Sequence, residues 1–309
     1  MRFKIVYGNH GHSGINVADV MLLLQYGLES IGHTADIVRD ICPGEINIVQ
    51  ENFTDEYVEQ VEALANKGTQ FIVIATEYLI DGSFNKFDVT LDKSYYSDRD
   101  HWLHRFKNFL AVEKRSIAVW HLCSEAVESY RKYLGHDRVF YLPHHYLEAV
   151  NRVVHRPDKE KDIDFLFTGA MTDYRKGLLS ELESKGYKVE YSNYYTAPFH
   201  RENLLARTKI ALNIRQYAQW PHPSPSRYYY HIMNDSLMIT ETCDYQADIQ
   251  KYVLTAPRNE LVEYCESVLA ERYFTKRARH NRGLFANELP MAKSMIPLVS
   301  ALRPEEVTA

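Results

Sequence analysis

The stretch that decides the fold runs from Lys209 to Glu241 and reads KIALNIRQYAQWPHPSPSRYYYHIMNDSLMITE. It predicts a buried strand (Ile210–Ile214), a polar loop rich in Pro and Ser, a Tyr-rich helix (Arg227–Met233) and a second buried strand (Leu237–Thr240) that ends on Glu241. Strands connected in this way in an open α/β sheet form a ligand crevice at their carboxyl ends. We therefore expect a ligand site in this stretch. The earlier part of the chain is expected to contribute the second half of that site.

The alternation of strand and helix extends along the chain on both sides of a charged stretch, residues 151–162 (NRVVHRPDKEKD). This change in composition predicts a linker between two domains. We predict an α/β fold of two Rossmann-like domains facing a cleft, at residues 1–150 and 163–288, followed by a tail at 289–309. Residues 80–97 are expected to form an excursion loop. Further strands are predicted at Phe3–Tyr7, Ala35–Val38, Gln70–Ala75, Ser116–Trp120, Val139–Leu142, Ile163–Thr168, Tyr187–Tyr191 and Val253–Thr255.

Length and composition limit the possible functions. The chain has 309 residues, of which 45% are hydrophobic, and this is enough for two packed cores. The net charge of -5 argues against a protein whose main task is to grip nucleic acid. Apolar runs fall short of the roughly 20 residues that span a membrane, and the start, MRFKIVYG, leads directly into a strand, so no signal peptide is expected. The four cysteines are scattered, which is typical of reduced thiols, and we expect a cytoplasmic protein.

A glycine-punctuated loop, GNHGHSG (residues 8–14), follows the first predicted strand. Glycines allow a backbone to approach a ligand closely, and histidine titrates near neutral pH, as a catalytic base requires. A loop histidine that caps a helix or faces water is the alternative. Glu77, after the strand FIVIA, is a competing base. The candidates in the loop are Gly11, Ser13 and Gly14 for ligand contact and His10 and His12 as bases.

Three motifs resemble a known family. Ile163–Leu179, IDFLFTGAMTDYRKGLL, resembles the start of the C-terminal domain of GT-B glycosyltransferases of the glycosyl transferases group 1 set, in particular its spore-maturation-type branch. IALNIRQY followed by SPSRYYYHIMNDSLMITE resembles the pattern LNIH…R…N…VVSE of that branch, and YLPHHY (residues 141–146) resembles the LPHGY that ends the N-terminal domain. The likeness extends from about Ile117 to Tyr252. The matching residues are Gly169, Arg175, Asn213, Ser226, Arg227, Asn234 and Glu241.

The sequence departs from the better-known retaining enzymes of that set at one motif. Those enzymes carry two glutamates on either side of the crevice loop, and His222 and Tyr230 stand at the corresponding positions here. The resemblance therefore leaves retention or inversion of the sugar configuration open. His121, Cys123, His144 and His145 match no standard ligand spacing, so no metal site is predicted.

The resemblance implies a metal-independent glycosyltransferase without a cofactor. Its second domain would bind a UDP-, GDP-, TDP- or CMP-linked sugar, and its first domain would bind an acceptor that is a glycan, a small molecule, a protein or, less readily, a nucleic acid. A homodimer is possible. The alternatives are a nucleotide-sugar epimerase or hydrolase and a non-catalytic binding protein on the same fold. The predicted donor contacts are Gly169, Arg175, Asn213, Arg215, Ser226, Arg227, Tyr230 and Glu241.

Overall fold

The computed structural model describes residues 1–85, 98–191 and 196–302, apart from the side chains of His12 and Ser13. Most of the predicted excursion loop at 80–97 lies outside the described residues. The chain divides into two compact units. The first contains residues 1–143 and the C-terminal segment from Met291 onward, and the second is His144–Pro290.

The first unit is built on a six-stranded sheet in which every strand pairing is parallel. Its strands are β1 (Arg2–Val6), β2 (Thr34–Val38), β3 (Ile46–Gln50), β4 (Gln70–Ala75), β7 (Ala118–His121) and β8 (Val139–Tyr141), and a hairpin of β5 (Leu79–Ile80) and β6 (Ser83–Phe84) lies apart from them. The sheet order is β2-β1-β3-β4-β7-β8. The helices are α1 (Ala18–Glu29), α2 (Asp55–Ala65), α3 (Arg99–Glu113), α4 (Ser124–Leu134) and α10 (Met291–Ser300).

Within the six-stranded sheet, β3 is the strand that the sequence analysis missed. Five strands were predicted for this half, and β3 is inserted between β1 and β4. Its sequence INIVQ carries the polar Asn47 at a buried position. The Asn47 side chain accepts from the Cys42 amide at 2.8 Å and donates to the Cys42 carbonyl at 2.9 Å, so its burial is compensated within the fold. The hydrophobic pattern of the sequence does not show that Cys42, earlier in the chain, will bond the buried Asn47 side chain.

The second unit has a five-stranded parallel sheet in the order β10-β9-β11-β12-β13. All five predicted strands of this half are confirmed, with small shifts of their ends. The strands are β9 (Ile163–Phe167), β10 (Val189–Tyr191), β11 (Thr208–Asn213), β12 (Met238–Glu241) and β13 (Leu254–Ala256). The helices are α5 (Asp173–Ser184), α6 (Pro198–Arg207), α7 (Pro225–Met233), α8 (Leu261–Glu271) and α9 (Phe274–Glu288).

The ends of the predicted domains differ from the structural units. The predicted tail contains the helix α10, which packs in the first unit with Met291 and Met295 against Gly27 of α1. Residues from His144 onward belong to the second unit, where the His145 ring lies 2.9 Å from the Asp248 carboxylate. No helix in residues 1–85, 98–191 and 196–302 is both long and apolar enough to cross a membrane.

Candidate functional site

Both sheets have a point at which the strand order reverses. In the second unit this point lies between β9 and β11, because the chain proceeds from β9 outward to β10 and then returns to the other side of β9. In the first unit it lies between β1 and β3 for the same reason. Open α/β sheets bind ligands at the carboxyl ends of the strands that flank such a point. The loops that follow β9, β11, β1 and β3 are therefore the candidate sites.

Arg227 is the cation at the β9–β11 point of the second unit. Its guanidinium donates to Asn213 Oδ1 at the end of β11 and lies 5.4 Å from the centre of the Phe167 ring at the end of β9. Within the described part of the chain it pairs with no carboxylate. Burial lowers the pKa of Arg227 to about 10, so the side chain is a half-buried cation at neutral pH whose charge is not compensated by an acid.

Gly169 makes room for this guanidinium. Its φ of +146° is a conformation that L residues rarely adopt, and a Cβ atom at this position would lie 2.5 Å from Arg227 Nη2. The loop after β9 thus passes directly over the cation. Asn213, which accepts from Arg227, is itself held by a hydrogen bond from its Nδ2 to Thr240 Oγ1 at 2.9 Å. Gly169, Asn213 and Arg227, all of which were predicted as donor contacts, lie next to one another in the structure. Their contact with a ligand stays a prediction.

Glu241 is fully buried and orients Arg215. Its carboxylate accepts from the Arg215 amide at 3.1 Å, from Arg215 Nε at 2.9 Å and from the Tyr174 hydroxyl. Arg215, and not Arg227, is therefore the ion-pair partner of Glu241 among the described residues. Burial and the neighbouring Glu241 carboxylate raise the pKa of Tyr174 to about 12, so the hydroxyl stays protonated at neutral pH and donates a hydrogen bond to this carboxylate.

Arg175 ties the two loops together. Its guanidinium donates to the carbonyls of Ile214 and Arg215 after β11, each at 3.1 Å, and to Ala170 after β9 at 2.6 Å. Thr172, the N-cap of α5, accepts from the Arg175 amide at 3.3 Å and donates to the Gln216 carbonyl at 2.7 Å. These bonds connect the loop after β9 to the loop after β11. Arg175 is thus bonded to backbone carbonyls, whereas Arg227 donates to the Asn213 side chain.

Two further predicted donor contacts have other surroundings. The Ser226 hydroxyl lies 2.9 Å from His144 Nε2, and burial lowers the pKa of His144 to about 4. Tyr230 packs into a core cluster with Val153, Leu166 and Leu205, because the third of three consecutive tyrosines on a helix faces away from the first. Arg201 lies over the Tyr230 ring, 3.9 Å from its centre. Ser226 therefore contacts His144, which is not one of the predicted donor contacts, and Tyr230 lies in the core of the second unit.

In the first unit, His10 lies at the β1–β3 point and is buried. Its ring lies near the backbone of Gln50 at the end of β3, and its Nε2 has no partner among the described residues. Burial is the main cause that lowers the pKa of His10, so its ring is neutral at pH 7. Gly14 has a left-handed φ of +71°, and Gly11 precedes the 3-10 helix His12–Val17. The side chains of His12 and Ser13 lie outside the described residues.

Glu77 belongs to a cluster that the sequence analysis did not find. Arg105 of α3 donates to Glu51, which follows β3, and at 2.9 Å to Glu77, which follows β4. Thr76 donates to Glu51 at 2.8 Å, and Asn85 donates to Glu77 at 2.6 Å. Burial and the nearby Glu51 carboxylate raise the pKa of Glu77. Glu51 could have been found by the rule that identified Glu241, a carboxylate at the end of a buried strand, but β3 itself was not predicted.

Among the described residues, no group of three or more His, Cys, Asp and Glu side chains could hold a metal ion. His121, one of the histidines considered for a metal, instead accepts from the Cys123 amide through Nδ1 at 3.0 Å. Its Nε2 lies 3.1 Å from the Glu77 carbonyl, so both ring nitrogens have partners within the fold.

Comparison with solved structures identifies the fold. The chain is similar to TarM, with a TM-score of 0.53 and 10% sequence identity over 84% of this chain and 55% of TarM. It is also similar to AviGT4, a glycosyltransferase involved in avilamycin A biosynthesis, with a TM-score of 0.52 and 12% identity over 98% of this chain and 97% of AviGT4. The chain has the GT-B fold. Its α/β architecture with two parallel sheets agrees with the predicted fold class.

The likeness to these GT-B proteins is one of fold. A mutant of S. aureus TarM in complex with fondaparinux, α-GlcNAc-glycerol and UDP matches with a TM-score of 0.52 at 10% identity. This chain covers 55% of the length of the TarM chains, a little over half. No family model matches the sequence, and no curated protein is significantly similar to it.

Proposed function

We propose that this GT-B protein is a glycosyltransferase that moves a sugar from a UDP-, GDP-, TDP- or CMP-linked donor to an acceptor. The observation that carries the proposal is the half-buried Arg227, which has no acidic partner in the described part of the chain and lies at the reversal point of the second sheet. A cation in this environment is stabilised by a ligand anion, and a phosphate matches the planar guanidinium.

The residues around Arg227 suit a leaving phosphate group. As the bond between the anomeric carbon and the phosphate oxygen breaks, negative charge develops on that oxygen. Arg227 and the amino end of α7, which carries a partial positive charge, would stabilise this charge without a metal ion. Arg215, oriented by Glu241, supplies a second cation. Gly169 allows the backbone after β9 to approach the same group.

Of the two predicted bases whose side chains the structure describes, His10 and Glu77, His10 is the one whose chemistry fits better. Its neutral ring has an unpartnered Nε2, whereas both oxygens of Glu77 accept hydrogen bonds, from Arg105 and Asn85. The acceptor oxygen would form the bond to the anomeric carbon, its proton would pass to His10 Nε2, and the phosphate would leave with the electron pair of the broken bond. The proposal assigns donor binding to the second unit and acceptor binding to the first.

The donor site can be tested by thermal unfolding with UDP, GDP, TDP and CMP. At about 100 times Kd a bound nucleotide adds ~2.7 kcal/mol, which raises Tm by roughly 5–10 °C for a unit of this size. Arg227→Ala should abolish the shift, and Lys176→Ala, which removes an exposed cation of α5, should leave it unchanged. If none of the four nucleotides raises Tm, the proposed donor site is wrong.

Two glycine variants provide an independent check of the same site. Gly169→Ala should displace Arg227 and remove the nucleotide-dependent rise in Tm. Gly177→Ala is the matched control, because a Cβ on this helical glycine meets no atom within 4 Å. Turnover then separates the remaining alternatives. Consumption of a nucleotide sugar without an acceptor would indicate a hydrolase or epimerase, and nucleotide binding without consumption in any acceptor mixture would indicate a binding protein.

A further inference from the structure

Three buried polar atoms lie without hydrogen-bond partners at the reversal point of the first sheet. They are Asn9 Oδ1, His10 Nε2 and Gln50 Oε1, none of which has a hydrogen-bond partner among the described residues. His10 and Gln50 are each only 7% exposed. A buried polar atom without a partner costs about 1–3 kcal/mol, so three such atoms together require an explanation in terms of a ligand or water.

The residues that carry the three atoms are grouped around the Gln50 backbone. Asn9 Nδ2 donates to the Gln50 carbonyl at 2.8 Å and to the Asn52 carbonyl at 3.4 Å. The His10 ring also lies near the backbone of Gln50. β1 and β3, which carry these residues at their carboxyl ends, are neighbouring parallel strands.

All three atoms accept hydrogen bonds. The bonds from Asn9 Nδ2 to two carbonyls fix the amide orientation, so Oδ1 is the free end. A neutral histidine ring accepts through one nitrogen, and His10 Nε2 is the nitrogen without a partner among the described residues. Gln50 Oε1 is an amide oxygen. A complementary ligand therefore has to offer several hydrogen-bond donors close together.

The charge beside these acceptors is negative. Among the described residues, Glu51 and Glu77 share one cation, Arg105, so this group of three side chains carries one net negative charge when both carboxylates are ionised. The Glu77 side chain is 21% exposed and forms the outer part of the cluster. A phosphate or carboxylate group placed here would add to this negative charge at low dielectric, which is strongly unfavourable.

We infer that this site binds an acceptor that carries several hydroxyl or amino groups and no negative charge. The inference rests on the proposed function for the identity of the ligand as an acceptor. The reactive hydroxyl would donate to His10 Nε2, and neighbouring donor groups would bind Asn9 Oδ1 and Gln50 Oε1.

The test compares three groups of acceptors with the nucleotide sugar that the enzyme consumes. They are neutral mono- and disaccharides, amino sugars, and the same sugars as phosphate esters. Neutral or amino sugars should be glycosylated, and preference between these two groups distinguishes a hydroxyl from an ammonium ligand. Phosphate esters should be used at least tenfold less efficiently by kcat/KM. Equal or better use of the phosphate esters would overturn the inference.

Gln50→Met tests the site itself, because it removes one acceptor atom and keeps the side-chain length. The KM for the acceptor should rise about tenfold while the KM for the nucleotide sugar stays constant. Gln70→Met is the matched control, since Gln70 is exposed at the amino end of β4 and should change neither value. An unchanged acceptor KM in Gln50→Met would contradict the assignment.

Direct binding keeps this inference separate from the donor site. Ligand-observed NMR with the free protein and the same three groups of sugars needs no nucleotide. Binding of neutral or amino sugars that Gln50→Met weakens, in a protein that no nucleotide stabilises, would refute the proposed glycosyl transfer and leave a polyol site. Nucleotide stabilisation together with binding of phosphorylated sugars alone would refute the polyol site and leave the donor site intact.

Discussion

The two reversal points of the molecule have the same topology and opposite charge. At the β9–β11 point the ionisable side chains are Arg175, Arg215, Arg227 and Glu241, which give an excess of positive charge. At the β1–β3 point they are Glu51, Glu77, Arg105 and the neutral His10, which give an excess of negative charge. Under the proposed function, topology determines where each ligand binds, and the charges determine which class of ligand it is.

The arginines of the two points also differ in how they are held. Arg105 forms ion pairs with two carboxylates, so its positive charge is neutralised within the fold. Arg227 donates to the neutral Asn213 amide and keeps its charge available. The comparison makes a definite claim: removing the first cation damages stability, and removing the second damages ligand binding. The predictions below test it.

The largest effect on stability is expected for Arg105→Met, which keeps the packing of the side chain over Trp102 and removes the charge. Loss of one partner from a buried ion pair costs about 3–5 kcal/mol. Urea unfolding followed by far-UV circular dichroism measures this loss. Arg115→Met is the control, because the Arg115–Glu62 pair is separated by 3.9 Å and both side chains are more than 40% exposed. It should cost no more than ~1 kcal/mol.

The pH dependence identifies the cause of this loss. Without Arg105, which lowers the pKa of Glu77, that pKa should rise further above its unfolded value. A carboxyl with a raised pKa in the folded state makes folding less favourable as pH rises through the range between the two values. The deficit of Arg105→Met should therefore be smaller at pH 4.5 than at pH 7.5. A deficit that does not change with pH would indicate lost packing instead of repulsion between Glu51 and Glu77.

A smaller effect is expected from a buried histidine of the second unit. Burial lowers the pKa of His144 to about 4, below the value near 6.5 of an unfolded histidine. Between these values the unfolded chain binds a proton that the folded chain does not, so stability is lost as pH falls from 6.5, by about 1.4 kcal/mol per pH unit. His144→Gln, which can still bond Ser226, should make this slope shallower by that amount.

Urea unfolding at pH 6.5, 5.5 and 4.5 measures the slope for the wild type and for His144→Gln. His280→Gln removes an exposed histidine of the same unit and should leave the slope unchanged. If His144→Gln and the wild type have equal slopes, His144 is protonated in the folded protein and its burial is not the cause of acid sensitivity.

The sequence predicts the second unit better than the first for a physical reason. Many of its site residues lie close to one another in the stretch from Lys209 to Glu241, and Gly169 and Arg175 follow the single strand β9. Arg227, Asn213 and Gly169 were identified because each lies at a predicted strand end or helix start. The roles of Arg175 and Tyr230 were not recognised, because a pattern of residue types does not show which carbonyls or core clusters a side chain will contact.

The cluster of the first unit depends on contacts that are distant in sequence. Glu51 and Arg105 are 54 positions apart, and Arg105 lies within a helix where an arginine is ordinarily a solvated charge. Glu51 follows a strand that was missed because its buried Asn47 interrupts the apolar run. Only the sheet order, with β3 between β1 and β4, brings Glu51 next to Glu77 and His10.

The smallest effects are expected at two helix caps, one in each unit. Thr54 caps α2 by accepting from the Tyr57 amide at 3.3 Å, and Thr172 caps α5 by accepting from the Arg175 amide at 3.3 Å. Replacing either threonine with alanine should cost about 1 kcal/mol of stability. Thr172 differs in also donating to the Gln216 carbonyl in the loop after β11.

The matched pair therefore separates helix stability from the order of the ligand loop. Both variants should lower the free energy of unfolding similarly in urea, but only Thr172→Ala should weaken nucleotide binding in a titration, by a few-fold, because the loop after β11 loses one of its anchors while Arg175 still holds it. Equal nucleotide affinity in the two variants would show that Arg175 alone fixes this loop. The bond from Thr172 to Gln216 would then not be needed to hold the cations of the β9–β11 point in place for nucleotide binding.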